Sequence, residues 1–154
     1  MARRHFGHRG QRQTLNLKSE ARPLIVGKQL ARTLANAAHH KLAFDIELLE
    51  VRKLSSYTDF LLIMSGKNRL HLDALLETLK ELIMDREVRI LGIEGSAQSG
   101  WVIIDIGSII IHIFDPEKRS YYNLYSLWGD APSVELEFSK TPPALRRARK
   151  KGAK

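Results

Sequence analysis

The feature that most constrains the fold is a pair of apolar segments separated by only two residues. Trp101–Ile106 and Ile109–Phe114 are almost entirely apolar, and Gly107-Ser108 stands between them. Two short apolar runs joined by a two-residue loop that contains glycine are typical of a β-hairpin. A third segment, Asp59–Met64, has the nearly continuous apolar character of a strand covered on both faces. We therefore expect a sheet with buried strands.

Two longer segments follow the spacing of amphipathic helices. Arg69–Arg86 is the clearer one, and Asn68 before it is a suitable N-cap. Arg22–His40 is the other, with Pro23 in its first turn. Their apolar stripes are formed by Leu72, Leu75, Leu76, Leu79, Leu82 and Ile83 in the first, and by Val26, Leu30, Leu34, Ala37 and Ala38 in the second.

The remaining segments complete the predicted order of elements. Strands are expected at Phe44–Val51 and Val88–Ile93, a loop at Glu94–Gly100, a turn at Asp115–Lys118 and a short helix at Arg119–Trp128. The resulting order is α-β-β-α-β-β-β-α. Helices interspersed with strands, together with one hairpin, predict an α/β (α+β) fold with a mixed five-stranded sheet flanked by helices.

Charge is distributed unevenly along the 154 residues. The net charge is +8, yet residues 1–19 hold five Lys or Arg and residues 140–154 hold seven. All 17 acidic residues lie in residues 20–139 beside the other 13 of the 25 basic residues, so this region carries −4. We expect one domain at 20–138 between disordered basic arms at 1–19 and 139–154. Such arms either bind nucleic acid through phosphates or only aid solubility.

Few classes of chemistry fit the sequence. Cysteine is absent, which excludes disulfides and thiolate catalysis and fits a reducing compartment. The six histidines show no metal-ligand spacing with a carboxylate, so we predict neither a metal nor a cofactor. His112 lies within a strand and is expected to be a hydrogen-bonded core residue.

No apolar run reaches the roughly 18 residues that span a bilayer. The arginine-rich N-terminus could serve as a transit peptide, but it is poor in serine.

One pattern resembles a nucleotidyltransferase signature. Gly107-Ser108 precedes two carboxylates, Asp115 and Glu117. A catalytic pair would have to lie two residues apart on one strand face to hold a metal ion against the nucleotide. Because Pro116 separates the two acids within an expected turn, we do not expect them to form a catalytic site.

The period of two in Trp101–Ile106 divides its side chains between two faces of the sheet. Trp101, Ile103 and Asp105 share one face, and Val102, Ile104 and Ile106 share the other. A core on both faces would bury the Asp105 carboxylate at a cost, so we expect one face or the strand end to reach solvent. Trp101 is then either an exposed interface anchor or a core residue, and the sequence leaves both open.

Three blocks of residues together resemble the ribosomal silencing factor family, also called RsfS or Iojap. They are Ser55–Phe60 followed by Ser65-Gly66 and Asn68-Arg69; Glu94-Gly95, Gly100–Gly107 and Ile111–Phe114; and Arg119, Tyr122, Leu124, Leu127 and Trp128. The blocks span about residues 22–132 in the family's order. The chain departs from the family pattern at Tyr125, where glutamate is usual, and at Lys67, where a small polar residue is usual. The basic arms lie outside the recognised pattern.

The resemblance implies a non-enzymatic protein whose fold is similar to that of nucleotidyltransferases without their catalytic acids. It implies docking on the fourteenth protein of the large ribosomal subunit, where the bound protein blocks the small subunit and represses translation under nutrient limitation. It also implies a cytoplasmic, ribosome-associated protein that can form homodimers. By position, the contact surface would include Trp101, Asp105, Ile106, Arg119 and Tyr122.

Two other functions stay open from the sequence. One is a nucleotidyltransferase-like enzyme, and the other is a general RNA-binding module driven by the basic arms. Contact between the arms and ribosomal RNA is an expectation that rests on their charge alone.

Overall fold

The computed structural model describes residues 22–139. The predicted arms, 1–19 and 139–154, lie outside the described residues apart from Ser139, and the domain boundaries at 20 and 138 stay a prediction. The elements in chain order are α1 (Arg22–His40), β1 (Phe44–Glu50), β2 (Phe60–Ser65), α2 (Arg69–Asp85), β3 (Gly92–Ser96), β4 (Trp101–Asp105), β5 (Ile109–Phe114), α3 (Pro116–Tyr122), α4 (Leu124–Trp128) and a 3₁₀ turn (Glu137–Ser139).

The five strands form one mixed sheet in the order β1-β2-β5-β4-β3. The pairing of β2 with β5 is parallel, and the other three pairings are antiparallel. Every residue of β2 is buried, as expected for a strand covered on both faces. The mixed five-stranded sheet predicted from the element order is therefore confirmed.

Helices α1 and α2 pack on one face of the sheet, which we call the helix-covered face. Buried residues of both helices pack with alternate residues of the strands, as the periods of 3.6 and 2 require. These helix residues are Leu30, Leu34 and Ala38 of α1 and Leu72, Leu75, Leu79 and Ile83 of α2. Asn68 caps α2, since its Oδ1 accepts the backbone N–H of His71 at 3.0 Å. The buried strand residues on this face include Leu48, Phe60, Leu62, Met64, Val102, Ile104, Ile109, Ile111 and Ile113, and Ile106 joins them from the end of the hairpin.

The opposite side, which we call the open face, carries the other strand residues and has less cover. A smaller core forms there, in which Leu124 and Trp128 of α4 pack over the sheet. On β4 the alternation is as expected, with Val102 and Ile104 buried while Trp101, Ile103 and Asp105 are half-buried. The open face is formed by Glu47, Leu49, Leu61, Ile63, Ser65, Trp101, Ile103, Asp105, Ile110, His112 and Phe114.

The segment after α4 covers the outer edge of β1. The Pro132 carbonyl accepts from the Glu50 N–H at 2.8 Å, and the Val134 N–H donates to the Leu48 carbonyl at 2.8 Å. Phe138 then stacks on His39 of α1, with ring centroids 4.2 Å apart. The two hydrogen bonds satisfy backbone groups of β1 that would otherwise be left exposed on an edge strand.

The strand predicted at Val88–Ile93 is wrong in its position. Strand β3 runs instead over Gly92–Ser96 and so begins at the end of the predicted strand and continues into the predicted loop Glu94–Gly100. The predicted segment does contribute apolar side chains to the core, since Val88 and Ile90 pack against it. Apolar residues at alternate positions can therefore face the core from a segment that is not a strand.

The backbone at the end of α2 explains why β3 begins at Gly92 and not at Val88. Glu87 adopts a left-handed φ of 59°, and the Val88 N–H donates to the Ile83 carbonyl at 3.1 Å. These groups close the last turn of the helix and are unavailable to the sheet. A backbone bond to β4 first appears at Leu91, whose N–H donates to the Asp105 carbonyl at 2.7 Å.

The predicted turn at Asp115–Lys118 and helix at Arg119–Trp128 also need correction. Asp115 is the N-cap of α3, and its Oδ1 accepts the Lys118 N–H at 2.7 Å. Pro116 occupies the first helical turn, where its missing N–H costs nothing. Asn123, with a left-handed φ of 43°, divides the predicted helix into α3 and α4.

Candidate functional site

Trp101 stands at the centre of an aromatic cluster on the open face. Its ring stacks on Phe114 with centroids 4.9 Å apart and contacts Tyr122 at 4.3 Å. Its Nε1–H donates to Nδ1 of His112 at 3.1 Å. The sequence left two environments open for Trp101, an exposed interface anchor and a core residue. The side chain is half-buried, which lies between the two. Its ring is held by three neighbours while part of its surface stays accessible.

His112 supports Trp101 from the neighbouring strand. The imidazole is 9% exposed, and burial lowers its pKa from 6.5 to about 4. Because Nδ1 accepts the indole N–H, the neutral ring must carry its proton on Nε2. His112 is thus the hydrogen-bonded core histidine that was predicted.

Helix α3 adds two tyrosines to this cluster. Tyr122 is 45% exposed, and the more exposed Tyr121 meets it edge to face at a centroid distance of 4.9 Å. We call these five residues the aromatic patch: Trp101, His112, Phe114, Tyr121 and Tyr122. Aromatic rings with fixed orientations lose little conformational freedom on binding, which makes such a patch suitable for docking a protein.

Gly100 is required where the chain enters β4. It adopts a left-handed φ of 83°, which side chains rarely tolerate. A Cβ atom there would also clash with the carboxylate of Asp115. Glycine therefore lets the cap of α3 approach the start of β4, directly beside Trp101.

Of the five predicted contact residues, the structure brings together only Trp101 and Tyr122. Asp105 lies at the other end of β4, where its Oδ1 accepts the Gly107 N–H at 2.8 Å and closes the hairpin turn. Ile106 is 7% exposed and belongs to the core of the helix-covered face. Its side chain therefore lies away from the patch. Contacts of Asp105 and Ile106 with a partner stay predictions.

Arg119, the fifth predicted contact residue, uses its guanidinium within the chain. Nη2 donates to Glu47 Oε2 at 3.0 Å, and Nη1 donates to the Asp45 carbonyl at 2.6 Å and to Ser65 Oγ at 2.9 Å. The ion pair with Glu47 is largely buried, with 21% and 24% of the two side chains exposed. Arg119 thus joins α3 to β1 and β2.

His112 and Phe114 were not predicted as part of the site, although the sequence contained a signal for them. A two-residue loop at Gly107-Ser108 sets the hairpin register, and Trp101 then lies opposite Phe114. Residues on one face of paired strands are close neighbours. The register alone could therefore have placed both residues beside Trp101.

The parts of the nucleotidyltransferase-like pattern lie far apart. Gly107-Ser108 precedes β5, where it lines an open polar pocket of about 520 Å³, and Asp115 follows that strand. Six extended residues separate these ends by about 20 Å. Asp115 is occupied as a helix cap, and Glu117 lies on α3. Within residues 22–139, no group of three or more His or acidic side chains could hold a metal ion.

Comparison with known proteins identifies the family. The pattern described as "Ribosomal silencing factor during starvation" matches residues 26–154, so the basic C-terminal segment lies inside the matched range. The expectation that both basic arms lie outside the family pattern is therefore wrong for the C-terminal arm, although the motif blocks that carry the resemblance end at about residue 132. Among residues 22–139, no helix is both long and apolar enough to cross a membrane.

Individual relatives agree with this match. The ribosomal silencing factor RsfS of Halalkalibacterium halodurans is 37% identical over 110 residues, which cover 71% of this chain and 94% of that protein. The mouse protein "Mitochondrial assembly of ribosomal large subunit protein 1" is 35% identical over 89 residues, 55% of this chain and 39% of that protein. A crystal structure from Bacillus halodurans has a TM-score of 0.60 at 36% identity, and the match covers 70% of this chain and 95% of that one. This chain therefore belongs to the ribosomal silencing factor family.

Proposed function

We propose that this protein binds the large ribosomal subunit and keeps the small subunit from joining it, which represses translation under nutrient limitation. Family membership supports this proposal, and the name of the mouse relative connects that protein with assembly of the large subunit. The structural observation that carries it is the aromatic patch on the open face. This function would place the protein on ribosomes in the cytoplasm.

The patch has the properties of a protein-docking surface. Tryptophan and tyrosine dominate the binding energy of protein interfaces, especially where they cluster. Trp101 and Tyr122 are in contact, partly exposed and already held by packing and a hydrogen bond. Little rotamer freedom is left to lose on binding, so more of the contact energy appears as affinity.

We propose that the patch docks on the fourteenth protein of the large subunit. A protein partner fits the charge of the domain, since residues 20–139 carry −4 and exposed phosphates would repel that region. A bound protein can exclude the small subunit sterically without catalysing a reaction. This is consistent with a regulator that is not an enzyme. A homodimer stays a prediction.

Sedimentation with separated subunits tests the function. The full chain should sediment with purified large subunits and not with small ones, and adding it before the two subunits are mixed should lower the fraction of joined ribosomes. Equal binding to both subunits would favour a general RNA-binding module. Nucleotidyl transfer on addition of nucleotides and a divalent metal would favour an enzyme. Absence of binding to either subunit would contradict the proposal.

The basic arms are predicted to add affinity without choosing the subunit. Each Lys or Arg that neutralises a phosphate steepens the fall of binding with salt. Deleting residues 1–19 and 140–154 should therefore flatten the salt dependence of binding to the large subunit while its preference over the small subunit persists. The measurement is the slope of log affinity against log salt for the full and truncated chains. Loss of the preference would place specificity in the arms instead of the patch.

A further inference from the structure

Helix α3 is held on the open face without a buried apolar residue of its own. It is seven residues long, none of its residues is fully buried, and the side chain of Arg119 is partly buried. A helix this short is unstable by itself, because the cost of starting a helix is recovered only over many residues. Its position must therefore depend on individual contacts, chiefly the Asp115 cap, the contact of Tyr122 with Trp101, and Arg119.

Arg119 makes the contacts that extend furthest from the helix. Its guanidinium reaches a carboxylate and a carbonyl on β1 and a hydroxyl on β2. Three donors in a rigid plane that meet three acceptors fix both the distance and the direction of approach. The bonds therefore determine where α3 crosses the sheet.

The electrostatics make this attachment sensitive to loss of either partner. Burial lowers the pKa of Arg119, and the negative charges of Glu47 and Asp45 oppose that effect. The second oxygen of Glu47, Oε1, is buried and has no hydrogen-bond partner. Removing one member of such a pair leaves the other charge desolvated and uncompensated. A position of α3 that separated the two side chains would leave both charges without their partner.

We propose that Arg119 is a positioning residue, which places α3 through Glu47 and Ser65 and so holds Tyr122 against Trp101. Arg119 and Tyr122 are three residues apart and share one side of the helix, so fixing one orients the other. This role replaces direct contact of Arg119 with the partner. It rests on the proposed function, in which the aromatic patch is the docking surface.

The test compares two ion pairs on the same strand. Glu47→Gln removes the charge that holds Arg119, whereas Glu50→Gln removes the charge that pairs with Lys28 at 3.6 Å, away from α3. Glu47→Gln and Arg119→Gln should each weaken binding to the large subunit about tenfold, a change of about 1.4 kcal/mol. Arg119→Lys should recover part of this loss, because lysine keeps the charge without the planar fork. Glu50→Gln should bind like the parent.

Fluorescence reports the position of Tyr122 without a ribosome. In a Trp128→Phe background Trp101 is the sole tryptophan, so emission excited selectively from tryptophan and not from the four tyrosines reports Trp101. Glu47→Gln should shift this emission to longer wavelength as Tyr122 leaves the ring, and Glu50→Gln should not. Identical emission in the two variants would overturn the positioning role. If Arg119→Gln fails to fold, the Trp101 emission and subunit binding of Glu47→Gln and Arg119→Lys can still be compared with those of Glu50→Gln.

A Tyr122→Ala background distinguishes a positioning role of Arg119 from direct contact of Arg119 with the partner. If Arg119 acts through Tyr122, then Arg119→Gln should weaken binding less than about twofold when Tyr122 is already alanine, since contacts that act as one unit are not additive. A further tenfold loss in that background would show direct contact and overturn the inference. If Tyr122→Ala itself binds normally, the docking patch is wrong, and the Trp101 emission still decides whether Arg119 positions α3.

Discussion

Replacing Trp101 by alanine is expected to abolish most of the affinity for the large subunit. Central aromatic residues of interfaces contribute on the order of 2–4 kcal/mol, which corresponds to roughly 30- to 1000-fold in affinity. Trp101 also supports the fold, since it stacks on Phe114 and donates to His112. Truncation of a fully buried tryptophan costs about 3–5 kcal/mol of stability, so we expect about 2 kcal/mol for this half-buried ring. Subunit sedimentation and thermal unfolding measure the two effects.

Two further variants make the result decisive. Tyr122→Ala should weaken binding with little loss of stability, because Tyr122 is about half exposed and belongs to a helix that has no fully buried residue. Tyr57→Ala is the matched control, since Tyr57 is exposed in the loop before β2 and lies outside the patch. A Trp101→Ala protein that is folded and still blocks subunit joining would exclude Trp101 as the docking residue.

Acidification is expected to destabilise the fold through His112. Burial lowers the pKa of this imidazole to about 4, while the unfolded chain has the ordinary value of 6.5. Below pH 6.5 the unfolded chain therefore binds a proton that the folded chain excludes, and unfolding becomes easier until the pH falls to about 4. At 1.36 kcal/mol per pH unit the total loss is about 3 kcal/mol. Above pH 6.5 this contribution is constant.

Denaturant unfolding at several pH values between 7.5 and 4.5 measures this effect. His112→Asn is the control, because its amide oxygen can accept the Trp101 N–H without titrating. Carboxylates and other histidines change stability in both proteins, so only the difference in slope is assigned to His112. Equal slopes would show that His112 is not the buried neutral base described here. In the Trp128→Phe background, Trp101 emission should also stay constant from pH 6.5 to 5, since the folded imidazole remains neutral.

Much of the fold could be predicted, because the periodic apolar positions of most elements are also the positions that the structure buries. The helices α1 and α2 and the hairpin of β4 and β5 were found within one residue at their ends, since each has a clear period and a strong boundary signal. Asn68 was identified as a cap by its chemistry alone. The strand at Val88–Ile93 was misplaced because its apolar residues face the core from a segment that closes a helix.

The candidate site could be predicted only in part, because residue type does not tell where a side chain finds its partner. Trp101 was named from the alternation of β4 and again by resemblance, Tyr122 by resemblance alone, and the two rings meet. Arg119 was also named by resemblance, but its guanidinium lies against Glu47, 72 residues away in sequence. A charged side chain near an aromatic cluster suggests a binding contact, whereas the tertiary structure gives it an internal ion pair.

The sequence by itself determined the mixed sheet, the register of the hairpin and the two faces of β4, because these follow from periodicity and from one two-residue turn. It left the environment of Trp101 undecided, since alternation tells which side a residue faces but not what covers that side. The tertiary structure decided this by placing α3 on the open face through Arg119 and Glu47. Contacts between residues distant in the chain depend on how whole elements pack, and no local pattern encodes that packing.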